Sequence, residues 1–272
     1  MIPVTTLTIK SPPQAPLEAG IITPDNFAGK PEAEIARLPV LHGNEVTQLG
    51  DFFEIDGDGS TEIVLNGDLS RVKSIAAGMT RGKVIIHGDA GMHVGAGMRG
   101  GEINVFGNVG DWAGAEMTGG KIHVHGNAGH GLGGAYRGSR HGMNRGLILV
   151  EGNAGNEAAA AMRRGLIVVT GNAGDFAGAF MTAGSMIVFG KLGMRAGAGS
   201  LRGTIVAFHQ PELLPTYRFS CTYQPAFLSL IFQDLRSHGL IVPDDFAGGR
   251  YRRYNGDFNR TGKGEILVYD QR

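Results

Sequence analysis

Cysteine is almost missing from this sequence. The single thiol, Cys221, excludes an internal disulfide and a cysteine-based zinc site. An excess of either charge is missing too: 25 Lys and Arg face 25 Asp and Glu, so no whole-molecule field favours nucleic acid or an anionic membrane. No apolar run approaches the ~20 residues that span a bilayer. The start, Met1–Lys10, reads as a short strand followed by prolines and not as a secretion signal. These absences predict a cytoplasmic protein, and 272 residues suit one large domain or two ordinary ones.

Glycine is what the chain has in excess, 46 of 272 residues, or about 17% against roughly 7% in average proteins. Collagen would need glycine at every third position, and a disordered linker would lack periodic Ile and Val. The glycines therefore call for a search at longer period. One series opens Gly-Asn or Gly-Asp pairs at Gly67, Gly88, Gly107, Gly126, Gly152 and Gly171, and continues as Gly-Lys at Gly190. Its spacings are 21, 19, 19, 26, 19 and 19, so the first repeat carries 2 extra residues and the fourth an insertion of 7. A second series, 13 residues later in the regular repeats, comprises Gly82, Gly101, Gly120, Gly146, Gly165, Gly184 and Gly203.

Two and four residues after each second-series glycine stand Val84/Ile86, Ile103/Val105, Ile122/Val124, Ile148/Val150, Ile167/Val169, Met186/Val188 and Ile205/Ala207. All are apolar and two apart, so each pair points to one face of a short strand. Such a strand every 19 residues, with the intervening residues also in register, predicts an all-β fold: a right-handed parallel β-helix of about seven coils. At ~4.8 Å per coil it is a rod of roughly 34 Å. Residues 65–208 form this body, and 1–64 and 209–272 are expected to be irregular caps, the second with a tail. Met79, Met98, Met117, Met143, Met162 and Met181 each precede a second-series glycine by three. At fixed phase they read as an interior ladder and not as a redox or metal row. Asn108, Asn127, Asn153 and Asn172 occupy equivalent corners, where amides would stack and hydrogen-bond.

The outward strand positions run Ile85, Asn104, His123, Leu149, Val168, Ile187, Val206. The last four form an apolar strip that must be an interface, covered either by the segment Phe227–Phe232 or by a partner subunit. The two ends also echo each other: Ile22-Thr23-Pro24-Asp25-Asn26-Phe27-Ala28-Gly29 resembles Ile241-Val242-Pro243-Asp244-Asp245-Phe246-Ala247-Gly248, which suggests similar turns.

Catalytic signals are weak. Gly95-Ala96-Gly97-Met98-Arg99-Gly100 fits a dinucleotide-binding pattern only because the repeat generates it, with no helix following. His123 and His125 share a strand face, and His87 lies two coils from His125, but no carboxylate completes a metal site in the sequence. We therefore expect no catalytic, cofactor or metal residue in this chain. The insertion, residues 131–145, concentrates Arg137, Arg140, His141 and Arg145 on one loop. Guanidinium groups suit an acidic ligand or partner, although a solvated loop with glycine-driven turns fits as well. An inserted histidine such as His141 also occurs in acyltransferases on left-handed β-helices, whose 18-residue coil differs from the period here.

The repeats at Gly107–Met117 and Gly171–Met181 resemble the glycine-rich repeat of two groups. One is the C-terminal domain of the glutamate synthase large subunit. The other is the C-subunit of formylmethanofuran dehydrogenase, with its relative in the methylotroph formyltransferase/hydrolase complex. Leu38-Pro39-Val40-Leu41-His42-Gly43-Asn44 with Asp51-Phe52-Phe53, and Arg253-Tyr254-Asn255-Gly256-Asp257 with Gly262–Leu267, resemble the second group at both ends. The resemblance implies a scaffold subunit bound to catalytic siblings in a hetero-oligomer. In the formyltransferase/hydrolase, partners would carry zinc. In the dehydrogenase they would carry a molybdenum or tungsten pterin and iron–sulfur clusters. It also implies that the methanofuran carrier passes near a shared surface. The arginine-rich, lysine-poor composition leans toward the methylotroph complex.

Overall fold

The computed structural model describes residues 4–271, so Met1–Pro3 and Arg272 lie outside the described residues. Each second-series glycine is followed at once by a strand: Lys83–His87, Glu102–Val105, Lys121–Val124, Leu147–Val150, Leu166–Val169, Ser185–Val188 and Thr204–Ala207. Neighbours pair in parallel and in register. Lys121 faces Glu102 on one side and Leu147 on the other, so the seven-residue insertion leaves the pairing unchanged. A second parallel line of bridges joins Leu69, Ala90, Val109, Ala128, Ala154, Ala173 and Leu192. Strand pairs such as Ile122/Val124 and the methionines Met79 to Met181 are buried between the two lines, a packed hydrocarbon interior.

The corners explain the glycines. Gly120 has φ +89°, and a Cβ there would lie 2.6 Å from Met98 Cε and 2.8 Å from the Gly101 carbonyl oxygen. Beside it, each corner side chain accepts from the next repeat's backbone. Asn108 Oδ1 takes the Asn127 N–H at 2.8 Å, Asn127 Oδ1 that of Asn153 at 2.8 Å, and Asn172 Oδ1 that of Lys191 at 2.8 Å. A parallel ladder runs from Asp111 through His130, Asn156 and Asp175 to Met194.

The main sheet is longer than the period announces. Glu62–Asn66 pairs in parallel with Lys83–His87, Thr5–Ile9 lies parallel outside it, and Phe53–Asp56 closes that end antiparallel. At the other end Gly264–Tyr269 pairs in parallel with Thr204–Ala207, followed by the antiparallel strands Tyr251–Gly256 and Arg218–Tyr223. The sheet therefore has 13 strands. This corrects the expected organisation in two ways. The boundary at 64/65 falls inside a strand, and the end segments add regular strands to the body instead of being irregular. Thr61 stands where the first of these strands would need its marker glycine. Gly264, Ile266 and Val268 keep the spacing of a repeat, but displaced 61 residues from Gly203.

The echo between the ends has a structural counterpart. Both stretches form short helices, Pro24–Phe27 and Asp244–Gly248. Phe27 is buried in the main core, and Phe246 packs against Phe208 and Tyr269.

The apolar strip Leu149, Val168, Ile187 and Val206 is fully buried, and Leu267 extends it. Its cover is the helix Ala226–Ser237, which presents Leu228, Phe232 and Leu235 at helical spacing. Each such side chain contributes roughly 1.5–3 kcal/mol by leaving water. The cover is intramolecular, so the strip leaves no free surface for a partner. None of the described helices is long and apolar enough to cross a membrane.

Candidate functional site

Where the apolar strip stops, the same outward row turns polar. After Leu149 the next member toward the N-terminal end is His123, buried apart from its edge. Its Nε2 lies 2.8 Å from Glu151 Oε1. His125 Nδ1 lies 2.9 Å from the same oxygen. The three ligand atoms fall within 4.8 Å of one another. Glu151 follows Val150, which pairs with Val124, so it occupies the phase of His125 one repeat on. This overturns the expectation that no carboxylate completes the histidine pair. The signal was present in the sequence, but the insertion places Glu151 26 residues from His125, so a count of 19 misses it.

The surroundings fix these side chains. Phe106 stacks on His125 at 4.5 Å and 4°, and on its other face meets His87 at 5.1 Å and 13°. Lys121 Nζ lies 3.1 Å from His238 Nδ1, just past the covering helix, and 3.4 Å from Glu102 Oε1. A depression of about 310 Å³ opens beside Glu151, lined by Thr170, Gly239, Leu240 and Ile241. Burial lowers the His123 imidazole below the ordinary histidine range, the His125 charge acts the same way, and the hydrogen bond to Glu151 opposes both.

The inserted loop is anchored at its base. Tyr136 OH is 2.8 Å from His93 Nδ1, its N–H donates to Glu116 Oε1 at 3.1 Å, and its ring packs on Trp112. Burial, then Glu116 and Glu18, push the Tyr136 hydroxyl up to about 12. Beyond the anchor, Arg137, Arg140, His141 and Arg145 are all exposed. Among the described residues none of the four side chains makes an ion pair within the chain. The other basic cluster is different: Arg253 pairs with Glu265 at 2.7 Å and Arg252 with Asp270 at 4.0 Å.

No family model matches the sequence. Over 94 residues the chain is 45% identical to the C-subunit of the tungsten-containing formylmethanofuran dehydrogenase 2 of Methanothermobacter wolfeii, covering 33% of this chain and 35% of that protein. Over 99 residues it is 43% identical to the C-subunit of the molybdenum-containing formylmethanofuran dehydrogenase 1 of Methanosarcina barkeri, covering 35% and 31%. The matched stretch spans about a third of each of these relatives. Similarity to a solved structure is end to end. It covers 98% of this chain and 100% of a chain in the formyltransferase/hydrolase complex (FhcABCD) from Methylorubrum extorquens in complex with methylofuran, with TM-score 0.92 and 35% identity. The chain belongs to the family of that chain of the formyltransferase/hydrolase complex, and over about a third of its length it is homologous to the C-subunit of formylmethanofuran dehydrogenase. Its relatives are subunits of multi-subunit dehydrogenases, and its structural neighbour is part of a multi-subunit complex.

Proposed function

We propose that this chain is a non-catalytic scaffold subunit of a complex of the formyltransferase/hydrolase kind, which turns a formyl group on tetrahydromethanopterin into formate by way of methanofuran. The observation that carries the reading is the end-to-end likeness to a chain of such a complex at TM-score 0.92, against dehydrogenase similarity confined to a third of the chain. In this reading the stacked repeats are a right-handed parallel β-helix, lengthened at both ends by the parallel strands Glu62–Asn66, Thr5–Ile9 and Gly264–Tyr269. The interior of packed apolar ladders suits a rod that positions neighbours. The chain is cytoplasmic and brings no cofactor to the reaction, and catalytic siblings supply zinc. Arg137, Arg140, His141 and Arg145, without ion-pair partners among the described residues, meet an acidic surface of a sibling or the acidic tail of the carrier.

A second reading, the C-subunit of a molybdenum or tungsten dehydrogenase, draws on the 45% identity over 94 residues. There the siblings would carry the metal pterin and iron–sulfur clusters. Gentle purification from the protein's own cells, followed by native mass and metal analysis, separates the two. A large assembly without molybdenum, tungsten or stoichiometric iron supports the first. One containing them supports the second. A lone 28.6 kDa species sinks both.

A further inference from the structure

The convergence of two imidazoles on one carboxylate oxygen is more than a surface ion pair needs. A lone histidine–glutamate contact would satisfy Glu151. Here His123 Nε2 and His125 Nδ1 both close on the same Oε1, at 2.8 and 2.9 Å. In a metal complex, imidazole nitrogens and carboxylate oxygens bind at about 2.0–2.2 Å from the ion, which leaves adjacent ligand atoms ~2.8–3.1 Å apart at octahedral angles and ~3.3–3.6 Å apart at tetrahedral ones. Glu151 Oε1 stands near that range from both nitrogens, and all three atoms lie within 4.8 Å of one another. We propose that His123, His125 and Glu151 form a binding site for a divalent transition-metal ion of the zinc, cobalt or nickel class. The proposal stands on this geometry and is independent of the complex to which the chain belongs.

The donor set selects the class. Two nitrogens and one carboxylate suit zinc, cobalt and nickel, whereas calcium and magnesium take oxygen ligands. Preorganisation is built in by the fold. His123 and Glu151 belong to adjacent in-register repeats, so their spacing is fixed by the sheet. The His125 ring is held in plane by Phe106, itself stacked on His87. Lys121 is the opposing charge on the same strand, and Glu102 counters it at 3.4 Å. Three protein ligands leave at least one position open, as in exchangeable sites and not in closed structural ones. The depression lined by Thr170, Gly239, Leu240 and Ile241 gives water or a small anion room beside Glu151.

The test is metal binding by the tag-free full-length chain, titrated with zinc against a chromophoric chelator and with cobalt while its visible absorption is followed. The proposal expects one equivalent bound at micromolar affinity or tighter. His125→Ala and Glu151→Gln, both at accessible positions, should each weaken zinc at least about tenfold and abolish the cobalt band. His141→Ala, in the inserted loop, should change neither. Wild-type protein that binds no zinc below about 100 µM overturns the proposal. So do His125→Ala and Glu151→Gln variants, shown folded by circular dichroism, that bind as tightly as wild type.

Discussion

Thr80 donates both its backbone N–H and its hydroxyl to the two carboxylate oxygens of Asp25, 55 residues earlier. Arg81 Nε stands 3.6 Å from the same carboxylate. This clasp fastens the short helix Pro24–Phe27 onto the first repeat. Burial works against the Asp25 charge, but the Thr80 hydrogen bonds and Arg81 outweigh it, so the carboxyl is held below its usual range.

The sign of the pH effect follows. A carboxyl more acidic in the folded state contributes stability above its unfolded value of ~3.9, and that contribution fades as pH falls through the folded value. The N-terminal segment should loosen below about pH 4, ahead of the central repeats. Asp25→Asn should flatten this dependence and cost roughly 0.5–1.5 kcal/mol at neutral pH. Hydrogen exchange of residues 22–30 against pH reads it directly. Equal acid sensitivity in the variant would rule out the clasp as its cause.

Phe232 is the central residue through which the covering helix grips the strip. Phe232→Ala should cost about 3–5 kcal/mol at the site and free the helix without dissolving the sheet. Limited proteolysis should then cut between residues 224 and 242 while the repeat body survives. Retention of the wild-type protection pattern would contradict the assignment.

Corner glycines and corner amides should differ in cost. Gly120→Ala forces a β-carbon against Met98 and a carbonyl while φ is +89°, so a loss of about 2 kcal/mol or more is expected. Asn127→Ala removes the side-chain bonds to Asn108 and Asn153, which water partly replaces, at ~1 kcal/mol. Chemical denaturation of the two variants should rank them in that order.

Replacing Arg137, Arg140 and Arg145 together by Ala should leave the thermal midpoint within about 2 °C of wild type, because these side chains are exposed and make no ion pair among the described residues. The loss should appear instead in assembly or in binding of the carrier, read by native mass and by activity of the reconstituted complex. A triple variant that assembles and functions normally removes the loop from the interface.

The repeat was legible because one physical requirement, a strand and a tight corner per turn of chain, recurs at a countable interval. What stayed hidden lay off the count. Glu62–Asn66 has Ile63 and Leu65 at repeat spacing but no glycine before them, and Gly264–Tyr269 joins the sheet after a long excursion. The identity of the strip's cover could not be chosen from hydrophobicity, since Phe227–Phe232 and a partner subunit satisfy Leu149 and Val206 equally. The site was missed for a related reason. His123 and His125 were visible as a pair, but the residue that closes on them depends on which strand comes next, and only pairing across the insertion brings Glu151 there.

That insertion leaves the stack after Ala135 and rejoins it at Gly142, whose backbone N–H donates to the Ala161 carbonyl of the next repeat at 3.0 Å. The strands on either side do not register its presence. Its length is therefore decoupled from the architecture. For the fold it is a permissive port: a tag, a fluorophore or a grafted peptide placed between Arg137 and His141 of the isolated chain would be displayed beside the sheet without a change to a single strand pairing.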